Sequence, residues 1–171
     1  HLADMIKSKF LTKFEKVLDM GCGTGLMGME VRDISRHLSG VDLSQKMLNV
    51  AADKGIYDYL EHIDLLEYLS NNRVQFDLFV CSDVFIYCGD VSEIFNALKK
   101  FTKKAALFAF TTEHTDSCDF KLERSGRFSH SQKYIEKLCD ENGFNIKDFR
   151  LDGLRREKSE LLTGGYYILE I

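Results

Sequence analysis

Residues 17–25, VLDMGCGTG, constrain this chain more than any other stretch. A short apolar strand carries an acid, Asp19, near its end and runs into glycines at 21, 23 and 25. Glycine has no Cβ and accepts positive φ freely, so three of them at alternate positions read as a turn whose backbone comes close to a ligand. Leu26, Met27, Val31 and Ile34 follow at near-helical spacing, so the turn opens a helix whose first amides face that ligand. Strand, bare turn and helix in this order make a nucleotide-type binding site.

Two motifs overlap in the turn. Gly23, Gly25 and Gly28 spell G-x-G-x-x-G, the dinucleotide fingerprint, while Asp19, Gly21, Gly23 and Gly25 spell D-x-G-x-G-x-G. A diphosphate wants amide N–H groups and no carboxylate nearby, whereas a ligand carrying a sulfonium and an ammonium tolerates one. Asp19 is therefore awkward for a dinucleotide. The next acid, Asp42, closes a second short strand (Ser39–Leu43) about 20 residues past the turn, where a carboxylate can accept both ribose hydroxyls. The bland alternative is that Asp42 only starts a helix, for which Ser44 serves equally well as a cap.

The rest of the chain alternates strands and helices. A helix is expected over 44–53, with Met47, Leu48 and Ala51 on its apolar face, and a third strand from Tyr59 to Ile63. The nearly continuous apolar run Phe76–Cys81 reads as a strand buried on both faces of a parallel sheet. Asp90 and Glu93 form a capping-box pattern before a helix with Val91, Ile94, Phe95, Leu98 and Phe101 on one stripe. A fifth strand spans Ala105 to Phe110, a long polar loop covers 111–129, and Tyr134, Ile135, Leu138 and Cys139 mark a last helix closed by Asn142-Gly143. Two final strands, 144–151 and 166–171, have no helix between them and are expected to form a hairpin. The predicted fold class is α/β: a Rossmann-like, doubly wound, seven-stranded and mostly parallel sheet with a terminal antiparallel hairpin.

Length and composition limit the possibilities. With 171 residues the chain reads as a single domain, 1–171, with no room for the second catalytic domain of a dehydrogenase. It opens in an amphipathic helix (Leu2, Met5, Ile6, Phe10) that reads as truncated at its amino end. A formal charge of −4 argues against nucleic acid as a partner, which requires a basic stripe. The densest basic run, Lys99, Lys100, Lys103 and Lys104, sits where a helix ends and reads as helix-end charge. Five cysteines without a C-x-x-C pair point to reduced thiols in a cytoplasmic setting and to no metal site. No apolar run long enough to span a bilayer is present, so no membrane partner is expected. Monomer is the favoured state.

Segments VLDMGCGTGLMG, GVDLSQKML, HIDLLEYL, FDLFVCSDVFIY and SGRFSHSQKYIEKL together resemble the class I methyltransferases that depend on S-adenosylmethionine (SAM). Within that class the chain is similar to the small-molecule type 11/12 domains, and among those to bacterial predicted methyltransferases often joined to tetratricopeptide repeats. The resemblance covers residues 15–171, and it implies that the last strand inserts beside the fifth. It departs from the family where a Pro-Gly-Gly turn often precedes the fifth strand; here the residues are Thr102-Lys103-Lys104.

The resemblance implies roles for particular residues. Gly21, Cys22, Gly23 and Gly25 would wrap the methionine part of SAM, with Asp19 near its amino group. Asp42 would take the ribose hydroxyls, and Leu43 and Met47 would lie against adenine. Asp64 and the Leu65 amide would meet the adenine edge, although Asp64 serves equally as a helix N-cap. Cys81 and Ser82 would sit at the end of the fourth strand, where ligands collect in open α/β sheets. The catalytic candidates are Asp83, Tyr87, His114 and His130, with Tyr87 and Arg127 as candidate substrate contacts. For His130, the triplet Ser129-His130-Ser131 also reads as a plain helix cap, and Arg124 and Arg127 are interleaved with acids. The product would be S-adenosylhomocysteine (SAH). Ser82-Asp83-Val84-Phe85 stands where amino-methylating enzymes of adenine or glutamine carry an N/D-P-P-Y motif, which favours a small-molecule acceptor. A SAM-binding domain without turnover and a nicotinamide-dependent oxidoreductase are the competing readings.

Overall fold

The computed structural model describes residues 1–71, 73–102, 105–157 and 160–171. A central sheet carries helices on both faces. In chain order the elements are α1 (Leu2–Lys9), β1 (Phe14–Met20), α2 (Leu26–Val31), β2 (Ser35–Asp42), α3 (Gln45–Asp53), β3 (Tyr59–His62), α4 (Leu65–Asn71), β4 (Leu78–Cys81), α5 (Ser92–Phe101), β5 (Leu107–His114), β6 (Phe120–Leu122), β7 (Phe128–His130), α6 (Gln132–Asn142), β8 (Asn145–Glu157) and β9 (Glu160–Glu170). The parallel part runs β3-β2-β1-β4-β5, and β9 pairs antiparallel with both β5 and β8. The last strand therefore lies beside the fifth, and the order reverses at β1, between β2 and β4.

Side chains alternate between two cores. Along β4, Leu78 and Val80 enter the layer under α1 and α2, with Ile6, Val31 and Ile168, while Phe79 and Cys81 enter the opposite layer. That second layer is aromatic. Phe85, Phe95, Phe108, Phe110 and Tyr167 are fully buried there, and Phe110 stacks on Tyr167 with centroids 4.9 Å apart and planes 9° apart. A strand buried on both faces needs no polar alternation, which is why residues 76–81 read as one apolar run.

The main departure from the sequence reading lies in 111–129. The sheet among the described residues has nine strands rather than seven. β5 continues to His114, and β6 and β7 form a short hairpin within the stretch expected to be loop. Thr111, Thr112 and Glu113 are polar yet buried, because β9 pairs along them on one edge. Glu113 also pairs with Ser129 of β7, so β7 occupies the other edge of β5 past the point where β4 stops. Three-residue strands rich in Ser, Lys and His give no periodic signal.

Smaller differences have local causes. The helix after the glycine turn is brief and tightens into a 3₁₀ turn at Arg32–Ile34. Val91, not Asp90, is the N-cap of α5; the Asp90 carboxylate instead accepts the Ser92 amide and the Tyr134 hydroxyl. The terminal strands are longer than expected, because the polar segment between them pairs with itself. Lys99 and Lys100 close α5, whereas Lys103 and Lys104 lie outside the described residues.

Candidate functional site

A cleft of about 590 Å³ opens at the carboxyl ends of β1, β2, β3 and β4. This is the switch point of the sheet, where strand order reverses and the connecting loops part. Its floor is the turn after β1. Gly21, Gly23 and Gly25 have φ of +70°, +54° and +84°, so all three adopt the left-handed conformation. At Gly21 a Cβ would also collide with Val84 from the loop after β4. The turn is anchored from behind, since Gly21 and Cys22 both donate their amides to the Val41 carbonyl, at 2.9 and 3.0 Å.

Asp42 ties the turn to the next element. One carboxylate oxygen accepts the Gly23 amide at 2.8 Å and the other accepts the Ser44 amide at 2.7 Å. Ser44 in turn caps α3 by accepting the Met47 amide. Both readings of Asp42 thus meet in one residue: it lines the cleft and it also organises the start of α3. Leu43 and Met47 stand exposed on the same wall, and apolar side chains turned to water beside a cleft are available to a flat ligand. Asp64 likewise combines two roles, since Oδ1 accepts the Leu66 and Glu67 amides as the cap of α4 while the residue lines the cleft with Leu65.

The loop after β4 forms the opposite wall. Ser82, Asp83, Val84, Tyr87 and Cys88 line it, and the Tyr87 side chain is 70% exposed. Asp83 has φ +57°, the only positive value outside glycine among the described residues. Its amide donates to the Thr111 hydroxyl at 3.0 Å, which holds this unfavourable backbone in place. Strain of this kind is found where a side chain must be aimed.

Several sequence-predicted residues lie elsewhere. Asp19 is 1% exposed and turned beneath the turn, where its carboxylate accepts the Tyr57 hydroxyl at 2.6 Å. Burial, with a smaller push from Asp42, lifts its carboxyl to about 7. Gly25 is buried below the lining. Cys81 is fully buried in the aromatic core layer rather than on the cleft, and burial raises its thiol well above the usual range. His130 corrects the catalytic reading most clearly. Its ring is wholly buried, Nε2 donates to the Gly89 carbonyl at 2.8 Å, and Tyr134 stacks on it with centroids 6.0 Å apart. Burial depresses its pKa, so it is a neutral strut. Ser131, beside it, supplies the helix cap by accepting the Tyr134 amide. His114 ends β5 with Nε2 3.1 Å from Asp116, and Arg127 and Arg124 lie in the β6–β7 connection; none of the three lines the cleft.

The sequence reading missed ten residues of the lining: Thr24, Leu26, Met27, Val41, Ser44, Ile63, Leu66, Val84, Cys88 and Ile94. It also missed Tyr57, whose place next to Asp19 spans 38 residues of chain and leaves no local signal.

Electrostatically the cleft is one-sided. Among the described lining residues three are carboxylates (Asp42, Asp64, Asp83) and none is Lys, Arg or His. Such a surface attracts cationic groups and repels a diphosphate. A turn with no side chain on its glycines leaves room at the cleft floor for a ligand main chain. These features fit SAM, which carries a sulfonium and an ammonium. No group of three or more His, Cys, Asp or Glu placed to hold a metal occurs among the described residues. Nor is any described helix long and apolar enough to cross a membrane.

Comparison with known proteins agrees with this geometry. A family model described as a methyltransferase domain matches residues 17–105. The ubiquinone biosynthesis O-methyltransferase of Thiobacillus denitrificans is 28% identical over 166 residues, covering 90% of this chain and 68% of that protein. The malonyl-[acyl-carrier protein] O-methyltransferase of Enterobacter lignolyticus is 27% identical over 145 residues, covering 85% of this chain but only 56% of that protein. Among solved structures, a SAM-dependent methyltransferase from Methanosarcina mazei superposes with a TM-score of 0.78 at 17% identity, covering 97% of this chain and 96% of that one. At that identity the likeness speaks for the fold.

Proposed function

This chain belongs to the methyltransferase-domain family, and from that premise we propose that it transfers the methyl group of SAM to an oxygen or nitrogen atom of a small molecule. The observation that carries the reading is the cleft lining: three carboxylates, no basic side chain among the described residues, and a floor of bare glycine backbone. The O-methyltransferases among its relatives support oxygen as the first acceptor atom to test.

When bound, SAM supplies a methyl group already activated by a sulfonium leaving group. The protein then has two tasks, alignment and proton removal. Gly21, Cys22 and Gly23 present backbone to the amino-acid end, and Asp42 keeps carboxylate oxygens beside the turn for ribose hydroxyls. Leu43, Met47, Asp64 and Leu65 would hold the adenine. Across the cleft, Asp83 and Tyr87 face the position an acceptor would take, and Asp83 is placed to remove its proton if it arrives protonated. Holding acceptor and methyl carbon in line replaces a bimolecular encounter by a near-attack geometry.

The test has two stages. Calorimetry against SAH should give binding in the micromolar range, and tight NADH binding with none to SAH would replace the proposal with a dehydrogenase. A panel of phenols, carboxylic acids and amines should then release SAH with a matched acceptor. Binding of SAH with no release across matched acceptors would leave a domain that holds SAM without turnover.

A further inference from the structure

Two glycines of the literal G-x-G-x-x-G at residues 23–28, Gly25 and Gly28, have a physical explanation unrelated to phosphate. Tyr57 follows α3 and enters a slot beneath the glycine turn. Three glycines form the walls of that slot. A Cβ at Gly25 would lie 3.0 Å from the Tyr57 ring, one at Gly40 would lie 2.9 Å from it, and one at Gly28 would overlap the hydroxyl. Inside the slot the hydroxyl donates to Asp19 Oδ2 at 2.6 Å. The Asp19 carboxyl is fully covered and lies outside the cleft lining.

We propose that Tyr57 and Asp19 form a buried latch, in which Tyr57 is the positioning residue that props the glycine turn in its ligand-receiving shape and Asp19 anchors the Tyr57 hydroxyl. The proposal rests on the SAM-binding reading of the same turn. Its geometry is direct: a phenol ring fills the space under Gly25 and Gly28, so the turn cannot sink toward the sheet. Asp19 needs an acceptor oxygen for this role, not a negative charge. An acid that neutralised the ligand's ammonium would instead have to face the cleft.

The role separates from a direct ligand contact by comparing two ligands at pH 7.5. SAH carries the amino-acid end, whereas 5′-methylthioadenosine lacks it. Asp19→Asn retains an acceptor oxygen and should bind SAH within threefold of the wild type. Tyr57→Phe keeps the ring but loses the anchor, and should weaken SAH about tenfold while changing methylthioadenosine less than threefold. A double-mutant cycle on SAH affinity should show that Asp19→Leu costs much less in the Tyr57→Phe background than alone. Thermal unfolding of each variant checks that it is folded, and Tyr57→Phe serves if Tyr57→Ala fails to fold. A tenfold loss of SAH binding in Asp19→Asn with methylthioadenosine unchanged would overturn the latch, since it would place Asp19 on the ammonium. Unchanged SAH binding in Tyr57→Phe would overturn it too. Wild-type protein that binds neither ligand would instead break the SAM reading itself, and the positioning role with it.

Discussion

The two walls of the cleft hold their groups by different means. The wall built from β1, β2 and β3 is organised by backbone: left-handed glycines, amides anchored on Val41, and Asp42 bridging the turn to α3. The wall after β4 is organised by side chains. Phe85 sits among Phe108, Phe110 and His130, His130 holds the Gly89 carbonyl, and Tyr134 holds Asp90. A backbone site imposes nearly the same sequence wherever it is used, because glycine takes those φ values and close approaches at far lower cost than other residues. A site braced by packing can be built from many residue sets, since cores accept varied side chains of matched volume. The first wall suits a ligand that stays constant, and the second suits an acceptor that differs between enzymes.

The most severe way to break this contrast is to add a branched side chain to the first wall. Gly21→Val places side-chain atoms against Val84 in a left-handed backbone. SAH binding should be lost from calorimetry, at least a hundredfold weaker, given about 1–2 kcal/mol for the conformation and a similar cost for overpacking. Circular dichroism should remain native. Retained affinity would mean that the turn does not contact the ligand.

The second wall should respond in turnover rather than in cofactor affinity. Asp83→Asn should leave SAH binding within threefold and lower methyl transfer about a hundredfold with an acceptor that must lose a proton, the usual range for a displaced general base. Steady-state kinetics against acceptor pH profiles would check it. An equal fall in SAH affinity would move Asp83 to the cofactor side and blur the two walls.

These differences explain how much could be read in advance. The turn, Asp42 and the parallel sheet were legible because each rests on a local rule: glycine at positive φ, an acid at a strand end, an apolar run buried on both faces. The hairpin of β6 and β7 was not, because three-residue strands have no period and Thr111–Glu113 are buried through strands distant in sequence, β9 and β7. His130 was misread for the same reason. A histidine beside serines looks exposed in sequence, and its burial comes from Phe85, Phe120 and Tyr134, on three other segments. Tyr57 was invisible, since its slot is made by the absence of side chains at three distant glycines.

A smaller effect sharpens the first wall. Asp42→Ala removes charged hydrogen bonds to the Gly23 and Ser44 amides and to any ribose hydroxyl. SAH affinity should fall by about 2 kcal/mol, or some thirtyfold. Adenosine should lose a comparable amount, because the ribose is common to both. Unchanged affinity would confine Asp42 to capping α3.

The weakest effect separates the walls by pH, because Asp19 braces one and His130 the other, and their shifts run in opposite directions. Asp19, beside Tyr57, Cys22 and Asp42, is raised by burial from the ordinary value of about 4 to about 7. Its folded form therefore holds a proton that the unfolded chain has lost, so its contribution is full below about pH 4 and declines as pH rises to about 7. His130, facing Gly89, Cys88 and Asp90, is lowered by burial below its ordinary value of about 6.5. The unfolded chain binds the extra proton there, so this contribution is full above about 6.5 and declines on acidification. Melting temperatures at pH 5.5 and 7.5 test both. Relative to wild type, Asp19→Asn should be more favourable at pH 7.5 than at 5.5, by about 4 °C. His130→Gln should show the reverse sign. If both variants shift in the same direction, one of the two groups titrates in contact with water, and the wall that contains it is looser than its packing implies.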